Sequence, residues 1–319
     1  MRIVFMGSSN ASAVTLLALI KAKHLSVVGV VTQPDRPSGR HQHFTPCPCK
    51  VFATEKNLAP VITPENVNAP DILEQIEQLR PDAIVVVAFG QFLGKRLLAL
   101  PPFGCINGHF SLLPKYRGAS PVQAAIAAGD DVTGVTVMQM APGMDDGDIL
   151  LKGIEPICSD DTAVTLMERL AILGAVTMTK ALRLLAAGAI TPEPQGDGFT
   201  LASKMQKADG LIDWTFPARL IERRTRAFVP WPGAFTFLPE RLGGIRVKIH
   251  AARLLPADGG ASSSGTVHSV TPHGPVVGTG DGLICLTELQ PDGGRRMDGK
   301  SFLNGYKILP GEQFVTINA

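Results

Sequence analysis

A chain of 319 residues, 45% hydrophobic and 18% charged, has the apolar material for a substantial core and the length for two domains, which excludes a disordered polypeptide. A formal charge of +2 demands no nucleic-acid partner by itself, and no apolar stretch reaches the roughly 18 residues of a spanning helix, so no membrane partner is expected. The five cysteines are odd in number and lack Cys-x-x-Cys spacing, which points to a reducing compartment and to buried or idle thiols. The first strand starts directly after Met1, leaving no room for a signal or transit peptide, so a cytoplasmic location is expected.

Ile3 to Met6 and Val27 to Thr32 read as short apolar strands, and Ala11 to Ala22 between them carries apolar residues at helical spacing. A helix near Ala69 to Leu79 then precedes strands at Ala83 to Ala88, Gly104 to Gly108 and Val135 to Met140. Strands alternating with helices predict a largely parallel, doubly wound sheet with its binding crevice beyond the carboxyl ends of the strands. The segment Gly7 to Ser12 follows a strand and opens a helix, but it lacks the second and third glycines of a dinucleotide fingerprint. Its helix end fits either an anionic group or simple capping by Ser9 or Asn10.

A long helix over Thr162 to Leu185 closes this first domain, taken as residues 1–188, and the polar, Pro- and Gly-containing stretch Thr191 to Gly198 reads as part of a linker over residues 189–207. Residues 208–319 form a second domain. Arg219 to Arg226 looks like a basic helix, and Arg246 to Ala251, Gly265 to Val270, Pro275 to Gly278 and Leu283 to Leu289 look like short strands, a pattern that predicts a small barrel or sandwich. Asp258 to Gly265 reads as a solvated connection.

The densest chemistry lies in Asn107-Gly108-His109-Phe110-Ser111-Leu112-Leu113-Pro114 and, some thirty residues later, Gly143-Met144-Asp145-Asp146-Gly147-Asp148. Attack of an amine on an acyl carbon builds negative charge on the oxygen and positive charge on the nitrogen, so such a site needs a fixed donor and a proton acceptor. Asn107 supplies an amide N–H. His109, two residues on and on the same face of an extended segment, can take or pass a proton, and Asp145 would orient and support the imidazole.

The run Asn-x-His-x-Ser-Leu-Leu-Pro-x-x-Arg-Gly, the earlier Gln33-Pro34-Asp35-Arg36-Pro37-Ser38-Gly39-Arg40 and the turn around Asp145 resemble the folate-dependent formyltransferases. Ile212-Asp213-Trp214, Arg226 to Gly233, Gly280-Asp281-Gly282 and Leu289-Gln290-Pro291 resemble the carboxyl-terminal domain of the members that formylate methionyl-tRNA, so the likeness covers nearly the whole chain. The resemblance implies a Rossmann-like catalytic domain followed by an OB-like β-barrel. It also implies 10-formyltetrahydrofolate as the one-carbon donor and the α-amine of initiator methionyl-tRNA as the acceptor. Matching positions make Asn107, His109 and Asp145 the catalytic trio, and place Phe89, Gly90, Gln91, Ser111, Leu112, Leu113 and Pro114 around the folate. A flat pterin calls for apolar walls and backbone hydrogen bonds, which a Leu-Leu-Pro turn beside a strand end can offer. No metal is expected, because His250, His268 and His273 lack ligand spacing, and a monomer is expected.

The acceptor tRNA needs positive charge. Residues 205–319 hold 13 Lys or Arg against 10 Asp or Glu, whereas residues 1–204 hold 17 against 18. Arg223, Arg224, Lys248, Arg295 and Arg296 are therefore candidates for phosphate contacts. In the loop after Arg40 the family carries lysines that grip the acceptor end, and here His41-Gln42-His43 stands instead, leaving more to Arg36, Arg40 and Lys50. Gly108 and Phe110 replace a branched and a small residue around His109, an exchange that conserves volume. Ala141-Pro142 takes the place of an acidic residue before the Asp145 turn. Phe228, Trp231 and Phe235 read as a core and interface cluster rather than as platforms for bases. Rival readings are transfer to a sugar-nucleotide amine, a 10-formyltetrahydrofolate hydrolase module, and a binding module without catalysis.

Overall fold

The computed structural model describes residues 1–38, 43–58, 60–256 and 263–315; Arg40, His41, Gln42 and most of the connection from Asp258 lie outside them. The chain divides into two units. The first comprises Met1–Pro121, Val132–Pro156 and Met167–Ala202; the second comprises Val122–Asp131, Ile157–Leu166 and the chain from Ser203 onward.

In the first unit a seven-stranded sheet runs, edge to edge, Ile149–Pro156, Val132–Gln139, Cys105–His109, Ala83–Val87, Arg2–Gly7, Ser26–Val31 and Val61–Ile62. The five strands from Cys105–His109 to Val61–Ile62 are parallel, while Val132–Gln139 and Ile149–Pro156 are each antiparallel to their inner neighbour. This is the doubly wound sheet expected from the alternating pattern. Its central strands are fully buried, as the unbroken apolar run of Ala83–Val87 requires. Strand order reverses between Arg2–Gly7 and Ala83–Val87, and the Ser12 hydroxyl donates to Val87 O at 2.6 Å across that point. The helix Asn10–Lys21 opens on a capping box: Ser9 accepts from Ser12 N and Ser12 accepts from Ser9 N.

The antiparallel edge was absent from the pattern of apolar runs, because Lys152 and Gly153 interrupt Ile149–Pro156. Gly134 lets these two strands approach, since an added Cβ there would collide with the Gly153 carbonyl, and Gly153 makes room for Leu173 and Thr177 of the helix Ala163–Ala186. On the face of Cys105–His109 opposite Asn107 and His109, Gly108 abuts Met178 and Phe110 abuts Gly174, one turn apart on the helix Ala163–Ala186. The volume removed at Gly108 is filled from the helix, and the volume added by Phe110 is accommodated at Gly174.

Of the stretch expected as a linker, residues 189–202 belong to this same unit and 203–207 to the second. Glu193 exchanges backbone hydrogen bonds with Ile149, and Leu201–Ala202 pairs in parallel with Arg117–Gly118. A Pro- and Gly-containing composition describes its irregular backbone correctly but carries no sign of these partners.

The second unit is built on an antiparallel sheet in the order Ala234–Phe237, Arg246–Leu254, Leu283–Pro291, Gly274–Gly278 and Val267–Thr271. Val315 bridges to Phe237 on one edge and Gln313 bridges to Thr266 at the other, so one short segment stitches the two edges together as a barrel does. Its interior holds Trp214, Val247, Ile249, Leu286, Leu289, Phe302 and Phe314. The Trp214 indole N–H donates to the buried Thr236 hydroxyl at 3.2 Å. Phe228 and Phe235 are buried, as expected, whereas Trp231 is 50% exposed.

The contrast between two glycines tests this packing. Gly134→Ala is expected to cost about 2–3 kcal/mol, because the Gly153 carbonyl it would strike is backbone, while Gly174→Ala, whose Cβ would sit 3.5 Å from Phe110, should stabilise by about 0.5–1 kcal/mol. Urea unfolding of the two variants measures both, and a stable Gly134→Ala protein would contradict the strand register.

Candidate active site

Alternation along Cys105–His109 sets Asn107 and His109 on one face at the carboxyl end of the strand, 9% and 6% exposed. The pairings Asn107 with Met138 and His109 with Thr136 fix their height against the next strand. Among the described residues the Asn107 carboxamide has no hydrogen-bond partner, so its donors remain available to a ligand.

Both ring nitrogens of His109 face oxygen. Nε2 lies 2.8 Å from Tyr116 O, and Nδ1 lies 3.5 Å from Asp145 Oδ2. Placing the proton on Nε2 follows from the carbonyl, which can only accept. The Asp145 carboxylate is fixed in turn, since Oδ2 accepts from Gly118 N at 2.8 Å. Asp145 itself has φ 49°, in the left-handed region, and Tyr116 has φ 61°. An imidazole so flanked can hold a proton at each nitrogen without leaving an N–H unpaired.

A cavity of about 240 Å³ adjoins the trio through Asp145 and is lined by Gln91, Phe92, Leu93, Met138, Met140, Ala141, Gly143, Met144 and Asp146 as well. Asn107 and His109 do not themselves line it. Of the residues assigned to folate by resemblance, Gln91 lines the cavity, with its carboxamide tied to Val67 N and Pro64 O. Phe89 is 2% exposed, and its carbonyl accepts from Ser8 Oγ and Gln33 Nε2, while Gly90 takes φ 84° beside Gln33. Ser111 and Leu113 are fully buried and serve the turn rather than the cavity. The Ser111 hydroxyl donates to Lys115 O at 2.6 Å. Leu112 and Pro114 are half-buried and also stand outside the lining.

Two supports escaped the sequence. The buried Thr136 hydroxyl donates to Ser111 O at 2.7 Å and accepts from Leu113 N at 3.0 Å, and Lys152 Nζ donates to Leu113 O at 2.6 Å. Thr136 sits opposite His109 on the neighbouring strand, so cross-strand pairing was the one signal that pointed to it.

The basic residues separate into groups. Arg36 pairs with Glu65, and Lys50 donates to Asp35 at 2.7 Å. Arg223 Nη1 donates to Ala128 O at 3.1 Å. Arg224 corrects the expectation of an outward phosphate ligand: its guanidinium lies over Phe216 and Phe228 and donates to Asp209 O. Burial lowers its pKa, opposed by Asp209 and Asp213. Lys248 stands opposite Gln290, and Arg295 and Arg296 are exposed in the turn that follows that strand, with Arg296 paired to Glu288. Burial pushes the Cys49 and Cys105 thiols up to about 12, which removes them as nucleophiles. Among the described residues no three His, Cys, Asp or Glu side chains gather as a metal-ligand set, and no helix is long and apolar enough to cross a membrane.

The family model for formyl transferase matches residues 1–182, and that for the formyl transferase carboxyl-terminal domain matches residues 204–307. A methionyl-tRNA formyltransferase of Citrifermentans bemidjiense is 44% identical over 312 residues, covering 98% of this chain and 95% of its own. One of Halorhodospira halophila is 45% identical over 312 residues, covering 98% of each chain. Among solved structures, HypX from Aquifex aeolicus in complex with tetrahydrofolic acid aligns with a TM-score of 0.62 at 18% identity, over 96% of this chain and 47% of that one. An N-formyltransferase from Helicobacter canadensis, solved with folinic acid and dTDP-3-aminofucose, aligns with a TM-score of 0.64 at 17% identity, over 89% and 98%.

The Asp145 turn gives a direct test of this geometry. An added Cβ on Gly147 would strike the Gln139 backbone carbonyl, whereas one on Gly143 meets only the exposed Asp146 side chain, which can rotate away. Gly147→Ala should therefore lower turnover on the order of 100-fold by displacing Asp145, and Gly143→Ala should stay within about 3-fold of the parent, both read from steady-state kinetics.

Proposed function

Because this chain belongs to the formyl transferase family along both of its domains, we propose that it transfers the formyl group of 10-formyltetrahydrofolate to the α-amine of methionyl-tRNA for translation initiation. The observation that carries the reading is identity of 44–45% to methionyl-tRNA formyltransferases over 98% of the chain, with the Asn107, His109 and Asp145 positions converging at one strand end.

The neutral amine attacks the formyl carbon and a C–N bond forms as the carbonyl oxygen takes up charge. Asn107 would donate its amide N–H to that oxygen, a bond that strengthens only as the charge develops. His109 would accept the proton released by the attacking nitrogen, with Asp145 steadying the imidazolium. Collapse breaks the bond to N10 of the folate, and N10 receives a proton in exchange. The cavity beside Asp145 suits the donor: Phe92, Leu93, Met138 and Met140 offer apolar walls to a flat ring, and Gln91 and Asp145 supply polar edges.

We assign the tRNA grip to the second unit, where the positive excess resides, and within it to Lys248, Arg295 and Arg296 on one end of the antiparallel sheet. Arg36 and Lys50, each already paired with a carboxylate, would have to exchange that partner for phosphate. Action as a monomer in the cytoplasm, where charged tRNA and folate meet, completes the proposal.

Asn107→Ala and His109→Ala are expected to fold with unchanged thermal midpoints and to lose on the order of 100-fold or more in kcat. An assay offering charged initiator tRNA, a sugar-nucleotide amine and water as competing acceptors should show formyl transfer to tRNA alone; transfer to either rival would overturn the acceptor assignment. Replacing Lys248, Arg295 or Arg296 by Ala should each flatten the dependence of log affinity for tRNA on log salt by about 1, measured by titration across salt concentrations.

A further inference from the structure

Two chain segments supply the oxygens that face His109. One is residues 116–118, which carries Tyr116 O and the Gly118 N–H that holds Asp145; the other is residues 145–147, which carries the carboxylate itself. They are far apart in sequence, and the hydrogen bond from Gly118 N to Asp145 is one tie between them. The other runs through Gln195.

The Gln195 side chain is half-buried, and its carboxamide is used at every position. Nε2 donates to Asp145 O at 2.8 Å and to Gly147 O at 2.7 Å, while Oε1 accepts from Arg117 Nε at 3.1 Å and from Arg117 Nη2 at 2.8 Å. Only this orientation of the amide works. Turned over, it would set its oxygen against two carbonyls and its N–H groups against the guanidinium donors. The Arg117 guanidinium is itself seated over the Phe199 ring at 4.8 Å, and its backbone N–H donates to Thr200 O at 2.8 Å. Tyr116 N donates to Thr200 Oγ1 at 2.8 Å, so residues 195–200 hold the first segment at three further points.

Asp145 pays a conformational cost at φ 49°, a region that a non-glycine residue occupies only where its surroundings enforce it. The two bonds from Gln195 fall on the carbonyls of that residue and of the glycine two positions later, which is where a restraint on the turn is most effective. Gly147 admits no side chain, so the turn cannot relax on that side.

We propose that Gln195 is a positioning residue for the reaction: it clamps the Asp145 turn to Arg117 and thereby sets the distance of the carboxylate from His109. The proposal rests on the formyl-transfer reading, and its test separates the two. If the parental protein formylates no charged tRNA, that reading fails, whereas the clamp can be examined without any substrate.

Gln195→Met keeps the length of the side chain and removes these four bonds together with the weak one from Nε2 to Met138 Sδ. Amide exchange in a peptide spanning residues 143–148 should accelerate on the order of 10-fold while one spanning residues 83–87 stays unchanged. In kinetics kcat should fall on the order of 10- to 100-fold with KM for the folate within about 2-fold, because a displaced carboxylate affects the reacting geometry rather than folate binding. Gln195→Glu should fall similarly, since it retains the Arg117 pair but faces the two carbonyls with a second oxygen. In an Asp145→Asn background Gln195→Met should add less than about 3-fold, as expected when one residue acts through the other. Unaltered exchange at 143–148, a kcat within about 2-fold of the parent, or a full additional loss in the Asp145→Asn background would each overturn the clamp. Should Gln195→Met fail to fold, Gln195→Glu carries the same comparisons.

Discussion

The Asp145 carboxylate, held in a left-handed turn by the Gly118 amide and set 3.5 Å from the His109 ring, is the contact on which the rest of the candidate site depends. It joins three parts of the chain: the end of a central strand, the loop that leaves it, and a glycine-bounded turn between two antiparallel strands. A charged group with 19% of its side chain exposed keeps its solvation only through such partners, so the hydrogen bonds that fix its direction also meet the cost of its burial.

The sheet serves that contact by delivering side chains at fixed heights. Register with Val132–Gln139 brings Thr136 beside His109, and the Thr136 hydroxyl then pins the Ser111–Leu113 turn from below. On the other face, the exchange of bulk between Gly108 and Met178 and between Phe110 and Gly174 keeps the strand seated on the long helix. The bulk of the residues flanking His109 is thus absorbed on the face that does not carry the imidazole.

Much of this was legible in the sequence, for identifiable reasons. Alternation with period two sets Asn107 and His109 on one face whatever the tertiary structure, and fully apolar strands such as Ala83–Val87 announce a sheet covered on both sides. Helix limits came close, with Ala163–Ala186 found where Thr162 to Leu185 was expected. Other features had no local signal. The strand Ile149–Pro156 is broken in pattern by Lys152 and Gly153, and residues 191–202 have the composition of a solvated connection although their hydrogen bonds go to Ile149, Arg117 and the Asp145 turn. Arg224 is the converse case: a count of charges sees a cation on a basic helix, but stacking on two phenylalanine rings turns it inward. The Ser111–Pro114 run, assigned to folate by likeness, is a turn whose Ser111 and Leu113 side chains are sealed, a burial set by partners distant in sequence.

The stitching of the antiparallel sheet has a consequence for synthesis of the protein. Phe237 lies on the first strand of that sheet, yet its bridge is to Val315, and Thr266 waits for Gln313. Emerging from the ribosome, the intervening strands can pair with one another as hairpins, and Leu211 can already bridge Phe235 on the first margin, but the pairings at Phe237 and Thr266 wait until the segment 313–315 has cleared the exit tunnel. During that interval the unpaired backbone at those two positions is open to neighbouring nascent chains, and closure of the sheet by the last strand segment removes it.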